Sequence, residues 1–345
     1  MDGSEATHRD NVPVTLHDVA REAQVHVSTV SRALDPSKSS LVSDRTRERV
    51  AAAAESLGYR RHLVASGLRR GRTFTVGVVV PDIANPIYAP VVRGIAHTLD
   101  DEGYMPVVAD TEDDDERFAQ VINHLLSRRI DALITTAARE RDEPRLRSLW
   151  ASGTPVILAV RTLSGSGLPS VDSNDEAGAA MAARHLWDRG HRVVAQLRGP
   201  HDVEPFSARG RGFVEEAERL GFELRTIDEE AARPTIEDGE HVADRLLTAH
   251  PDVTAVFAQN DLLALGLLMS LRRLGRNCPD DLAIVGYNDA MFAAHSDPPL
   301  TTVRLPTYEV GRHAGATAVA CIDRPHTPPP RRSVTPELIV RASTG

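Results

Sequence analysis

The chain has 345 residues, 41% hydrophobic and 26% charged, with a net charge of −9 and two cysteines. That length exceeds one compact core and suits a small module joined to a larger one. The composition excludes a disordered chain and a disulfide scaffold. No apolar run is long enough to span a membrane, and Met1 to Val12 lack the apolar core of a signal peptide, so a cytoplasmic protein with no membrane partner is expected. Cys278 and Cys321 show no metal spacing, and neither a metal nor a cofactor is expected.

Residues 1–13 read as a disordered arm, and residues 14–60 read as three short helices. Apolar positions recur at helical spacing: Leu16, Val19, Ala20 and Ala23, then Val30, Ala33 and Leu34, then Val50, Ala54 and Leu57. Ser43 is the expected N-cap of the third helix, and Gly58 its stop. Arg69 to Thr73 (RRGRT) reads as a basic, Gly-containing connector. Divided at Arg72, the chain shows opposite charge on its two parts. Residues 1–72 hold 12 Lys and Arg against 9 Asp and Glu, a balance of +3, which leaves 28 against 40, or −12, for the rest. A basic head on an acidic body points to nucleic acid as a partner of the head.

Beyond residue 73 apolar runs alternate with helical segments. The runs are Thr75 to Val80, Met105 to Ala109, Ala132 to Thr136, Pro155 to Val160, Arg192 to Leu197, Ala255 to Gln259 and Leu282 to Tyr287. Such alternation predicts an α/β body with parallel sheets covered on both faces. Periodicity leaves open whether these strands fill one large sheet or two lobes.

The segment VTLHDVAREAQVHVSTVSR, from Val14 to Arg32, places a helix, a tight turn and a second helix in series. Val27, Ser28, Thr29, Ser31 and Arg32 are expected on the outer face of that second helix. Arginine can pair with guanine or a phosphate, and Thr or Val methyls can meet thymine, so this is recognition-helix chemistry. No GxSxG elbow, phosphate loop or GxGxxG fingerprint is present, so an enzyme is not expected.

The whole string, with LVSDRTRERVAAAAESLGY after it, resembles the lactose-repressor/galactose-repressor (LacI/GalR) family, whose usual signatures are T-x-x-D-V-A and T-V-S-R-x-L. The likeness continues through GVVVPDIANPIY, SVDSNDEAG, SARGRGF, AQNDLLALG, VGYNDA and PPLTTVR. The resemblance implies a helix-turn-helix head at 14–60, a hinge helix and linker at 61–73, and a two-lobed, periplasmic-binding-protein-like body at 74–345. Lobe 1 is expected at about 74–173 plus 305–334, and lobe 2 at about 174–304 plus 335–341.

The implied function is sequence-specific transcription regulation, as a repressor, of near-palindromic double-stranded operator DNA. A small-molecule effector, a sugar or sugar derivative, would control a homodimer. The absence of a heptad-bearing tail favours the dimer over a tetramer. Implied DNA contacts are Thr15, Leu16, Val27, Ser28, Thr29, Ser31, Arg32, Thr46, Tyr59, His62, Ala65 and Leu68, with Leu68 as a minor-groove wedge. Implied effector contacts are Tyr88, Thr136, Arg211, Asn260 and Asn288. Asp172, Asn174, Glu176 and Asp261 are expected to cap helices or tie loops.

The sequence departs from the family at several points. Gln24 and His26 stand where Gly and Ser are usual in the turn, Gly67 lies inside the hinge, and Val160 and Asn288 replace aspartates. The loss of those carboxylates predicts an effector with fewer hydroxyls than a free hexose, or an anionic one.

Overall fold

The computed structural model describes residues 14–35, 38–59, 72–325, 327 and 329–345. The expected arm at 1–13 and the hinge positions His62, Ala65, Gly67 and Leu68 lie outside the described residues. The chain divides into two compact units, residues 1–71 and 72–345.

In the first unit, α1 (Leu16–Glu22), α2 (Val27–Ala33) and α3 (Asp44–Ser56) pack around Val19, Ala20, Val30, Val50 and Ala54. A capping box starts α1. The Thr15 hydroxyl accepts from the Asp18 N–H, and the Asp18 carboxylate accepts from the Thr15 N–H at 3.0 Å. Gln24 takes φ 49° to turn the chain towards α2. Ser43 precedes α3 as expected, but its hydroxyl pairs with that of Thr46 at 2.9 Å instead of with the helix backbone. Gly58, at φ 63°, ends α3.

The body contains two six-stranded sheets. The first has β1 (Thr75–Val80), β2 (Met105–Asp110), β3 (Ala132–Thr135), β4 (Val156–Ala159), β5 (Ser170–Ser173) and β11 (Arg332–Val334), in the order β11-β5-β4-β3-β1-β2, all parallel. The second has β6 (Val193–Leu197), β7 (Glu223–Arg225), β8 (Ala255–Ala258), β9 (Ala283–Asn288), β10 (Thr301–Arg304) and β12 (Glu337–Ile339), in the order β12-β10-β9-β8-β6-β7. Only β12 runs antiparallel there.

Burial of both sheet faces explains the near-continuous apolar strands. On the first sheet, α4 (Tyr88–Asp101) and α11 (Thr307–Asp323) cover one face through Val91, Ile95, Val310 and Ala314. There α5 (Asp115–Ser127) and α6 (Glu143–Ala151) cover the other through Phe118, Ile122 and Leu146. On the second sheet, α7 (Asp175–Asp188) and α8 (Glu204–Leu220) cover one face, with Phe213 of α8 packed against Phe257 and Tyr287 of the strands. The opposite face carries α9 (Ile236–Ala249) and α10 (Asp261–Arg273). The chain passes between sheets after β5, after β10 and between β11 and β12. The body is thus two α/β lobes, with the carboxyl ends of the central strands and the loops after them at the cleft, where open parallel sheets bind ligands.

Candidate nucleic-acid interface and ligand cleft

On α2, Val30 and Ala33 are buried, which turns Ser28 and Arg32 outward as exposed side chains with Thr29 and Ser31 at their edges. Val27, Leu16 and Tyr59 are half-buried against the head core, so each offers only part of its surface. His26 caps the helix: its Nδ1 accepts from the Ser28 N–H at 3.2 Å and lies 2.8 Å from the Ser28 hydroxyl. An imidazole thus does the work of the usual serine. Thr15 spends its hydroxyl on the Asp18 carboxylate at 2.7 Å.

In the body, a cavity of about 250 Å³ lies between the lobes, lined by Asp82, Asn85, Tyr88, Asp113 and Arg161 from lobe 1 and Arg233 to Thr235 from lobe 2. A wider hollow of about 630 Å³ shares Glu112 and Arg233 with it. That hollow is the open flank of α5, with a single lobe 2 residue, whereas the cavity is enclosed by both lobes.

Tyr88 is buried at the start of α4, and burial pushes its hydroxyl above the usual tyrosine range despite the Arg161 guanidinium beside it. Arg161 is 3% exposed and donates to Asp113 Oδ1 at 2.8 Å. A tight turn aims it: the Arg161 N–H donates to the Ala159 carbonyl at 2.7 Å across Val160, whose φ is 65°. That is the rare, strained γ-turn, held at a β-branched residue, and such strain marks functional loops. Burial pushes the Asp113 carboxyl up, but Arg161 and Arg139 outweigh it and hold the group below its ordinary value.

The sequence-expected effector positions are distributed unevenly around this cleft. Among them, only Tyr88 lines the cavity. Thr136 is fully buried and gives its hydroxyl to the Val79 carbonyl at 3.2 Å. Asn260 is the N-cap of α10, where its Oδ1 accepts from the Leu263 N–H at 2.7 Å. Arg211 is half-exposed and paired with Glu176 at 2.9 Å. Asn288 ends β9 at φ 110°, with a buried Oδ1 that has no partner. Asp172 is similar: Arg331 donates to Oδ2 at 2.7 Å, while Oδ1 is buried without a partner.

Sequence reasoning missed Asp82, Asn85, Asp113 and Arg161. Asp82 and Asn85 lay in plain view within the PDIANPIY string, whereas nothing local marks Asp113 within its acidic run. These groups also alter the expected chemistry. Asp82 and Asp113, from other loops, put carboxylates into the cavity lining, with both Asp113 oxygens already engaged by Arg139 and Arg161.

A three-helix head with an outward polar helix, joined to a two-lobed body with a polar cavity between the lobes, defines a ligand-responsive, DNA-binding regulator. Residues 15–62 match the model of bacterial regulatory proteins of the lacI family, and residues 183–344 match the periplasmic binding protein-like domain. The chain is 30% identical to the HTH-type transcriptional repressor CytR of Escherichia coli K12, over 97% of this chain and 98% of that protein. Among solved structures it is similar to a transcriptional regulator CelR–cellobiose complex, with TM-score 0.71, 32% identity and coverage of 96% and 99%. It is also similar to a lac repressor dimer bound to operator and the anti-inducer ONPF, with TM-score 0.86, 25% identity and the same coverage.

The chain belongs to the lacI family of bacterial regulatory proteins. It is a DNA-binding transcription regulator with an effector domain, and its relatives are regulators, not enzymes. No helix among the described residues is long and apolar enough to cross a membrane.

Proposed function

We propose that this protein is a cytoplasmic, homodimeric repressor whose paired heads read the half-sites of a near-palindromic operator and whose clefts take a sugar or sugar derivative. In this reading Ser28, Thr29, Ser31, Arg32 and the free edge of Val27 face base edges, and Thr15, Leu16, Thr46 and Tyr59 approach the DNA backbone. His62, Ala65 and Leu68 would complete the contact from the hinge.

The observation that carries the DNA reading is the outward pair Ser28 and Arg32 on a helix whose opposite face is buried. The effector reading rests on the polar cavity. Asp82, Asn85, Asp113 and Tyr88 suit a hydroxyl-rich ligand, and 250 Å³ lies near the lower end of small-ligand pockets, roughly 300 Å³ upwards, which favours a compact one. Asn288 and Asn260 sit at lobe 2 strand ends and Arg211 on α8, and they would close on that ligand, with Thr136 supporting the wall from behind. For the dimer, exposed Met105 and Val108 on edge strand β2, with Met269 on α10 and Leu274 at its C-cap, supply apolar surface for a second copy.

Genome-wide mapping of bound DNA followed by titration of a sugar panel tests both halves. An effector that weakens operator affinity must itself bind more weakly, by the same factor, when operator is present. Operator selectivity unchanged in Arg32→Ala removes the recognition helix from the reading, and no response to any sugar or sugar derivative removes the effector class.

A further inference from the structure

At the lobe boundary, four charged side chains from four loops form an unbroken chain. Asp113 follows β2, Arg139 follows β3, Arg161 follows β4, and Asp202 follows β6 in the other lobe. The two oxygens of Asp113 are shared: Oδ1 accepts from Arg161 at 2.8 Å and Oδ2 from Arg139 at 2.8 Å. Arg139 donates its other terminal nitrogen to Asp202 Oδ2 at 2.6 Å. Arg141 adds a second bond to the same Asp202 oxygen at 2.7 Å and is itself tied to Asp115 at 2.6 Å. Among the described residues, the ion pairs joining the two lobes all end on Asp202.

Burial decides which of these contacts matter. Arg139 is 11% exposed and Asp113 9%, whereas Arg141 is 52% exposed, so solvent screens the Arg141 pair far more. A guanidinium is a rigid planar fork, so fixing one terminal nitrogen on Asp113 fixes the direction of the other. Among the described residues the Asp113 carboxylate is ion-paired only within lobe 1, yet it sets where Arg139 points. Its second oxygen holds Arg161, which lines the interlobe cavity.

We infer that Asp202–Arg139–Asp113–Arg161 is a charge clamp that holds the lobes together, with Asp113 as the positioning residue that ties the clamp to the cavity wall. A ligand engaging Asp113 or Arg161 would disturb the fork that carries the lobe contact; that last link rests on the cavity being the effector site. The clamp itself does not, and its test needs neither effector nor DNA.

Hydrogen–deuterium exchange on the full chain reads the clamp directly. Asp202→Asn is expected to raise exchange at 137–142 and 198–203 on the order of tenfold, with the β-sheet cores unchanged. In the unmodified protein, 0.5 M sodium chloride should raise exchange in the same segments, with little further effect in Asp202→Asn. The decisive variant is Asp113→Asn, which should raise exchange at 198–203, in a lobe reached from Asp113 only through Arg139 among the ion pairs of the described residues. Should the bare Arg161 left behind unfold lobe 1, Arg139→Lys keeps the charge without the fork and is expected to give the same rise. Unchanged exchange at 198–203 in Arg139→Lys, or equal salt sensitivity in Asp202→Asn and the unmodified protein, would overturn the clamp. If the clamp stands and no sugar acts, the effector reading alone has failed.

Discussion

The Thr302 hydroxyl donates to Oδ1 of Asp261 at 2.6 Å, and the Ala290 N–H donates to Oδ2 at 2.7 Å. A carboxylate at the first turn of α10 thus fastens that helix to β10 and to the loop after β9. It is 1% exposed, and burial pushes its pKa up to about 7 even though these donors pull the other way.

This gives a pH prediction with a definite sign. Because the folded value lies above the ordinary 3.8, the folded state binds the proton more tightly. The associated stability is fully present below about pH 4 and is lost as pH rises through about 7. Asp261→Asn, which keeps the shape without the charge, should flatten the urea-unfolding midpoint of the body between pH 5 and 8. An unaltered pH slope in that variant would show that another group titrates.

In the head, Thr15→Ala removes the hydroxyl half of the capping box and leaves the Asp18 carboxylate on the backbone N–H of residue 15. The expected cost is about 1 kcal/mol of head stability, visible as faster amide exchange across α1 and α3 while the body is unaffected. Operator affinity should fall with it, and Thr15→Ser should restore both.

Gln24 is an exposed residue at φ 49°. A side chain there carries a steric cost that glycine avoids, so Gln24→Gly should raise head stability by up to about 1 kcal/mol. Thermal unfolding of the head, followed by exchange, checks it, and a lower midpoint would count against the strained turn.

Helices α4 and α11 meet at glycines. A Cβ on Gly311 would stand 2.0 Å from the Val91 carbonyl oxygen, and one on Gly94 would stand 2.2 Å from that of Tyr308. Both obstacles are backbone and cannot rotate away. Gly311→Ala is expected to destabilise the body by about 1–3 kcal/mol or more, read from its urea midpoint, whereas alanine at Gly165, where the Cβ meets nothing, faces only the cost of φ 75°.

The seven apolar runs were legible because strands buried on both faces carry apolar side chains throughout, and the partly covered edge strand β2 keeps enough of them to register. The strands that escaped are of two kinds. β5 (Ser-Val-Asp-Ser) and β10 (Thr-Thr-Val-Arg) are buried yet polar; the β10 hydroxyls find their partners only in the fold, Thr301 in Arg341 and Thr344, Thr302 in Asp261. β7, β11 and β12 are three-residue edge strands, too short for any period to register.

The candidate site was legible where side chains follow directly from helix phase, as for Ser28 and Arg32, or from a family-like string, as for Tyr88 in NPIY. It was not legible where a backbone turn redirects the chain. No residue pattern announces a valine at φ 65°, so the burial of Arg161 against Asp113 could not be read from the sequence. Thr136 shows the converse: it occupies the right strand end, yet its hydroxyl turns inward to Val79.

The three passages of the chain between the sheets also set the order in which the body can be completed during synthesis. The face of α4 formed by Val91, Ile95 and Leu99 is covered by Val310, Ala314 and Ala318 of α11. Residues of lobe 2 are made in the interval. Lobe 1 therefore waits, with an apolar helix face exposed, until the more than 200 residues from Leu99 to the end of α11, lobe 2 among them, have left the ribosome, and the nascent chain is most prone to aggregation during that interval.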